Sequence, residues 1–225
     1  SSRFAEESRS ASEAAEKSRL ELTELIGTYP SVPEKELLTE FDSCWKEFRQ
    51  IDQQVLEFAV QNTNLKAARL SFGAANTAMN EFGHALSGLI SDSTSGPSCR
   101  MIYEAQTAAL KIHVLHAPHI ASPDDHEMDG IEKSIRQNDA IVRKALGDVR
   151  LLLQPAKKVF LQQAEAAYDA FMDFTDRILE WSRQNTNIKS FELSLNRKRK
   201  ITAQCEEILM KLQEAIQSRA FKATR

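Results

Sequence analysis

Glycine and proline are scarce in this chain, seven and six residues in 225. Sheets and glycine-rich phosphate loops depend on turns, and few residues are present to build them. Long helices joined by short turns need little of either. No stretch reaches the roughly 18 apolar residues of a membrane span. Charge of one sign is not in excess either: 29 Lys and Arg against 32 Asp and Glu leave a net charge of −3. That provides no basic surplus to release counterions from a nucleic acid, so no nucleic-acid partner is expected. The three cysteines, Cys44, Cys99 and Cys205, lack CxxC spacing, which argues against a zinc ribbon, a thioredoxin motif and a c-type haem site. An odd count also excludes a complete disulfide framework. Cys44 and Cys205 fall on apolar stripes and read as small core residues. No P-loop, nucleophile elbow or HExxH is present, so neither an enzyme nor a cofactor is expected.

What is present is helical periodicity. Leu37, Phe41, Cys44, Phe48, Ile51, Val55 and Phe58 alternate spacings of four and three, the seam of a bundle helix. Pro33 stands at its start, where a missing N–H costs nothing. The same reading predicts six helices: about 2–27, closed by Gly27 and Tyr29-Pro30; 33–61; 64–90, capped by Thr63 or Asn64; 98–153, with a kink or break between Pro118 and Pro123; 156–183; and 187 onward. Residues 91–97 read as a loop.

The chain also repeats itself. Val55-Leu-Glu-Phe-Ala-Val-Gln-Asn-Thr-Asn-Leu-Lys66 aligns with Ile178-Leu-Glu-Trp-Ser-Arg-Gln-Asn-Thr-Asn-Ile-Lys189, seven of twelve pairs being identical. At the same offset of 123, Phe48 meets Phe171, Leu70 meets Leu193, Leu86 meets Leu209 and Leu89 meets Leu212. Amphipathicity alone does not dictate the polar QNTN letters. The expected fold is all-α: an elongated antiparallel helical bundle, two stacked four-helix-bundle-like modules built from a repeated helical hairpin. The modules would be 1–118 and 119–225, sharing the fourth helix. A helix continuous through Pro118–Pro123 brings both termini to one end; one that folds back there gives seven segments.

The pattern resembles the four-helix-bundle ligand-binding domains of methyl-accepting chemotaxis receptors and sensor kinases. In that family a helix ending in a VL-x-x-A-x-x-x-D/N motif is followed at once by the next, as at Val55-Leu56-Glu57-Phe58-Ala59 through Asn64 and again at Ile178 to Asn187. Ile120-Ala121-Ser122-Pro123-Asp124-Asp125 resembles a break in the family's first helix, and the tandem layout resembles its helical bimodular variant. The resemblance implies the periplasmic, extracytoplasmic part of an inner-membrane protein, membrane-tethered and homodimeric. Such a domain binds a small organic acid, an amino acid or a solute-binding protein and signals by helix displacement. The chain starts at Ser1 without a signal-peptide pattern and both ends read as helix, which fits a segment between two membrane spans. It fits a piece of a cytoplasmic scaffold or adaptor bundle as well, and three unpaired cysteines sit badly with an oxidising periplasm.

Breaks in the seams mark candidate site residues. Lys198 and Thr202 interrupt the seam Phe191, Leu195, Cys205, Leu209, Leu212, Ile216. Asn138 interrupts Met128, Ile131, Ile135, Val142, Ala145, Val149, Leu152. In a single bundle these lie near mid-height, where Lys198, Asn138 and Thr202, with Arg136 from the edge, could hold an anionic solute. Against that, Lys198 could snorkel to solvent and Asn138 could set register. Arg69 and Arg100 suit a carboxylate ligand, although such residues are more often solvated. His113, His116 and His119 offer a weak metal alternative, weighed against surface histidines beside a kink. Helix one carries a seam of Phe4, Ser8, Ala11, Ala15, Ser18, Leu22 and Leu25, suited to close packing or to a dimer contact.

Overall fold

The computed structural model describes residues 2–28, 31–90 and 97–223, with side chains over 6–28, 31–90 and 97–221. Among these residues there is no strand, and only Ser31, Asn62, Ser122, Pro123, Asp124, Leu153, Gln154 and Asn185 lie outside a helix. The all-α expectation therefore holds. The elements are α1 (Ser2–Thr28), α2 (Val32–Gln61), α3 (Thr63–Leu70), a π-helical turn (Ser71–Ala75), α4 (Asn76–Ile90), α5 (Pro97–Ala121) and α6 (Asp125–Leu152). A 3₁₀ turn (Pro155–Lys157), α7 (Lys158–Gln184), α8 (Thr186–Glu192), a second π turn (Leu193–Lys198) and α9 (Arg199–Ala223) complete them. Of the expected loop at 91–97, residues 91–96 lie outside the described residues, as does the Tyr29-Pro30 stop, and Pro97 is the first residue of α5.

The predicted fourth helix is two helices. α5 passes through Pro118 and stops at Ala121, two residues before Pro123, which has no N–H to extend it. Asp124 then caps α6, its carboxylate accepting from the backbone N–H of His126 and Glu127. α6 folds back along α5, so the continuous version of this helix is corrected to the folded one.

The chain divides into two compact units, residues 1–61 with 186–225 and residues 62–185. The expected division at 118/119 falls inside the second of these, because α5 and α6 pack on each other. Both real crossing points are the repeated QNTN segments. In each, an asparagine takes the left-handed conformation, Asn62 at φ 51° and Asn185 at φ 53°, which asparagine tolerates better than other non-glycine residues. That residue redirects the chain, and the two repeat copies are not two hairpins. Unit 1 instead holds the first helix of one copy (α2) against the second helix of the other (α8–α9). Unit 2 holds α3–α4 against α7. The π turns stand at matching places in the two copies, Ser71–Ala75 and Leu193–Lys198.

In unit 1, α2 packs on α8, α9 and α1, giving three rods rather than four. Phe41, Cys44 and Ile51 of α2 meet Ile201, Cys205 and Ile208 of α9. Cys44 and Cys205 are core residues, as expected, but they are also disulfide-bonded, with Cα atoms 5.8 Å apart. Only Cys99 is free. The outer seam of the last helix is corrected too: Phe191 and Leu195 are 64% and 51% exposed. The wider π turn shifts the inward set by one residue, and half-buried Ser190, Ser194 and Lys198 face inward. Helix one is likewise rotated from expectation. Ile26 is buried with Leu38 and Leu212, whereas Ala11, Ala15, Ser18 and Leu25 are exposed.

Unit 2 packs α3–α4, α5, α6 and α7 around one core that includes Phe82, Leu86, Ile102, Ile112, Ile135, Val142, Tyr168, Phe171 and Ile178. Phe171 is fully buried there and its counterpart Phe48 half-buried in unit 1. Leu89 and Leu212 are both buried, while Leu86 is buried and Leu209 37% exposed.

Candidate functional site

A groove of about 1010 Å³ lies in unit 1, between α1 and α2. Its lining includes Arg9, Ser12, Glu16 and Arg19 from α1, and Asp42, Trp45, Lys46, Arg49 and Asp52 from α2. The α1 side is polar because the helix turns Ser12, Glu16 and Arg19 toward α2 in place of its alanines. Glu16 joins the walls: Arg19 donates to it at 2.8 Å and the Trp45 indole N–H at 2.5 Å. Those bonds, Arg19 first, hold its carboxyl below the ordinary carboxylate range. Arg19 also reaches Asp42 at 2.7 Å.

At one edge of the groove Asp52 is buried at 6% exposure. It accepts from Lys198 Nζ at 2.5 Å and, at 3.4 Å, from the Ser12 hydroxyl. Lys198 also lies 5.6 Å from the centroid of the Phe48 ring. Against this balanced network, Arg9 and Lys46 form no ion pair among the described residues, and Arg49 reaches only to 3.7 Å from Glu16. Four bases and four carboxylates line the groove. The fourth carboxylate, Glu57, accepts from Gln53 at 2.9 Å and forms no ion pair among the described residues, so the least committed bases are Arg9, Lys46 and Arg49. An anion entering it meets donors on both helices and the Trp45 ring, which stacks behind on Phe41 and Phe48 of the unit 1 core.

Of the residues singled out from sequence, Lys198 stands beside this site, with a partner that sequence reading did not name. Thr202 bonds back to the Lys198 carbonyl at 2.8 Å. Asn138 and Arg136 belong to α6 in unit 2, so the four do not form adjacent layers of one bundle. The expected layering ran the last helix back along α7, whereas Asn185 turns it into unit 1. Asn138 is satisfied on its own helix by the Ser134 carbonyl at 2.8 Å, and Arg136 is 69% exposed, 3.5 Å from Glu132. Arg69 is exposed; Arg100 shares a shallow depression of about 360 Å³ with Asn138.

Sequence reading missed Asp52, Trp45, Glu16, Arg19 and Arg49. One signal was available for Asp52. At the repeat offset it aligns with Thr175, so both copies place a polar residue beside the inward seam.

Comparison with protein families, with characterised proteins and with solved structures returns no match.

The histidines of α5 are not at the surface. His116 and His119 are fully buried in unit 2 and His113 half-buried. No group of three His, Cys, Asp or Glu side chains among the described residues is placed to hold a metal. His116 Nδ1 lies 3.0 Å from the Ser71 hydroxyl and Nε2 3.1 Å from that of Thr175. Burial, with smaller contributions from His113 and His119, pushes its pKa down to about 3.

Proposed function

We propose that this chain is an extracytoplasmic sensor domain of a transmembrane receptor, of the chemoreceptor or sensor-kinase kind. In this reading it binds a small anionic solute in the unit 1 groove and signals by displacing α1. The observation that carries the reading is the mismatch between the two interfaces of α2. Toward α9 it has an apolar core and a covalent tie, flanked by the ion pairs of Glu34 with Arg219 and of Asp52 with Lys198. Toward α1 it is a charged network, anchored by apolar contact only near Ile26. Charged contacts rearrange at small cost, because surface ion pairs contribute about 0–1 kcal/mol each. A solute bridging Arg9 of α1 and Arg49 of α2 therefore has leverage on α1 and none on α9. Differential contact of this kind is what a ligand needs to shift a conformational equilibrium.

The Cys44–Cys205 disulfide supports an oxidising compartment over a cytosolic scaffold. The four-helix module of the resembling family would then be represented by the four rods of unit 2, with unit 1 completed on homodimerisation. The test is a thermal-shift screen with sodium salts of small mono- and dicarboxylic acids, followed by Trp45 fluorescence titration. A binding acid at a hundredfold excess over Kd should stabilise by roughly 2.7 kcal/mol, and Arg49→Gln should abolish the shift without unfolding the chain. Binding that survives both Arg49→Gln and Arg9→Gln would sink the proposal.

A further inference from the structure

The α5–α6 turn of unit 2 holds a set of hydrogen bonds that a neutral ring cannot complete. Pro123 stands four residues after His119, where a helical N–H would satisfy the His119 carbonyl, and proline has none. The next N–H back, that of Ser122, is committed to Pro118 at 3.0 Å. The His119 carbonyl is satisfied instead by the Ser182 hydroxyl of α7, at 2.7 Å. That bond uses the only proton Ser182 has. The same hydroxyl oxygen lies 2.8 Å from His119 Nδ1, so Nδ1 must be the donor there. The neutral ring has then spent its one N–H. Its Nε2 carries a lone pair, yet it faces the Glu132 carboxylate of α6 at 3.1 Å, and two acceptors do not bond.

His116, one turn earlier, gives the contrast. The Thr175 hydroxyl donates to the Phe171 carbonyl at 2.9 Å, so His116 Nε2–H donates to Thr175 and Nδ1 accepts from Ser71. That ring is complete when neutral.

We propose that His119 is a proton-driven latch: uptake of one proton from solvent at Nε2 completes the bonds joining the α5–α6 turn to α6 and α7, and its loss opens the contact with Glu132. The surroundings receive that charge. Glu132 also accepts from Arg183 Nε at 2.7 Å, which keeps the carboxylate ionised and sends the proton to the ring. Arg183 of α7 is itself paired with Asp129 and Asp125 of α6, and Glu127 accepts from Ser122 at 2.5 Å in the turn. From the remaining element, Asn64 of α3 donates to the Ile120 carbonyl at 2.9 Å and to Asn185 Oδ1 at 2.8 Å. Asn185 in turn donates to the Ser122 carbonyl at 3.0 Å. The latch thus sits where both repeat junctions meet the turn, and its state reaches them through Asn64 and Asn185. Burial places the ring below the ordinary histidine range, so the latch closes on acidification, whereas His116, complete when neutral, has no such demand for a proton.

The test is ¹⁵N-histidine NMR of the whole chain across the folded pH range, with backbone amides followed in parallel. His119 is expected to pass to a doubly protonated ring on the acid side, with His116 keeping the neutral pattern. The amides of Asn64, Ser122 and Asn185 should titrate with the His119 midpoint. Glu132→Gln supplies an amide N–H to the Nε2 lone pair. It should keep the fold by circular dichroism while lowering the His119 midpoint by about one unit or more and erasing the co-titration at Asn185. A His119 ring singly protonated throughout the folded range overturns the proposal. So does a titration that leaves the Asn64 and Asn185 amides unmoved, or one unchanged by Glu132→Gln.

Discussion

Two glycines carry opposite meanings at the scale of single residues. A Cβ built on Gly88 would stand 2.5 Å from Phe160 Cδ1 and 2.9 Å from Cγ. The clash reaches the root of the ring, so a small torsion does not relieve it. Gly88→Ala should cost about 1–3 kcal/mol in urea unfolding, and the double variant with Phe160→Ala should show a non-additive recovery. Gly73 meets nothing within 4 Å and does not have positive φ, so Gly73→Ala should stabilise by about 0.4–1 kcal/mol. His116 supplies a pH signature. Its folded pKa is depressed to about 3 from 6.5, so unfolding lets it take a proton that the native state refuses. Its contribution is complete above about pH 6.5 and is lost progressively as pH falls toward 3, an effect on the order of a few kcal/mol. His116→Phe should flatten that part of the stability–pH curve. These burials were not legible in the sequence, because a histidine on a helix next to a proline carries no mark of which side faces the core. Lys198 was legible as a polar break in an apolar seam. Its partner was not, since Asp52 neighbours Ile51 on a helix whose other partners were unknown.

Periodicity at the scale of elements named the helices well, and their ends agree with expectation to within two residues apart from the fold-back at 121–125. It did not name their partners. A 3–4 pattern tells which face is apolar, and the same apolar face packs equally well on any helix that offers another. The hairpin reading of QNTN failed for this reason: a one-residue left-handed break turns the chain without pairing the helices on either side. The π turns escaped notice because one extra residue per turn leaves no mark in composition. It does shift the inward face, which explains why Phe191 and Leu195 emerged while Leu212 stayed buried. The left-handed asparagines give a direct test. Asn62→Val should cost about 1–2 kcal/mol more than Asn62→Gly, from Cβ crowding in the left-handed conformation. Chemical denaturation of the two variants side by side separates the conformational term from the loss of the side chain they share.

At the scale of the whole molecule, unit 2 is an insertion. The chain leaves unit 1 after Gln61 and re-enters at Thr186, and the Cys44–Cys205 disulfide, 161 residues apart in sequence, closes outside both points. Reduction, or Cys44→Ala with Cys205→Ala, should lower the stability of unit 1 by about 2–5 kcal/mol and leave unit 2 nearly untouched. A single unfolding transition would then resolve into two, followed by Trp45 in unit 1 and Trp181 in unit 2. The repeat offset of 123 was visible in the letters, but not that each unit draws one helix from each copy. That arrangement is the geometry of a domain-swapped dimer written into one polypeptide. Its consequence is for sequence change: neither copy packs on itself, so neither can vary on its own behalf. A change in the first half of either copy is tested against the second half of the other. The two units nonetheless carry different contents at matching places, an ion pair of Asp52 and Lys198 in one and in the other a Thr175 hydroxyl bonded to His116, a partner that α5 brings from outside either copy.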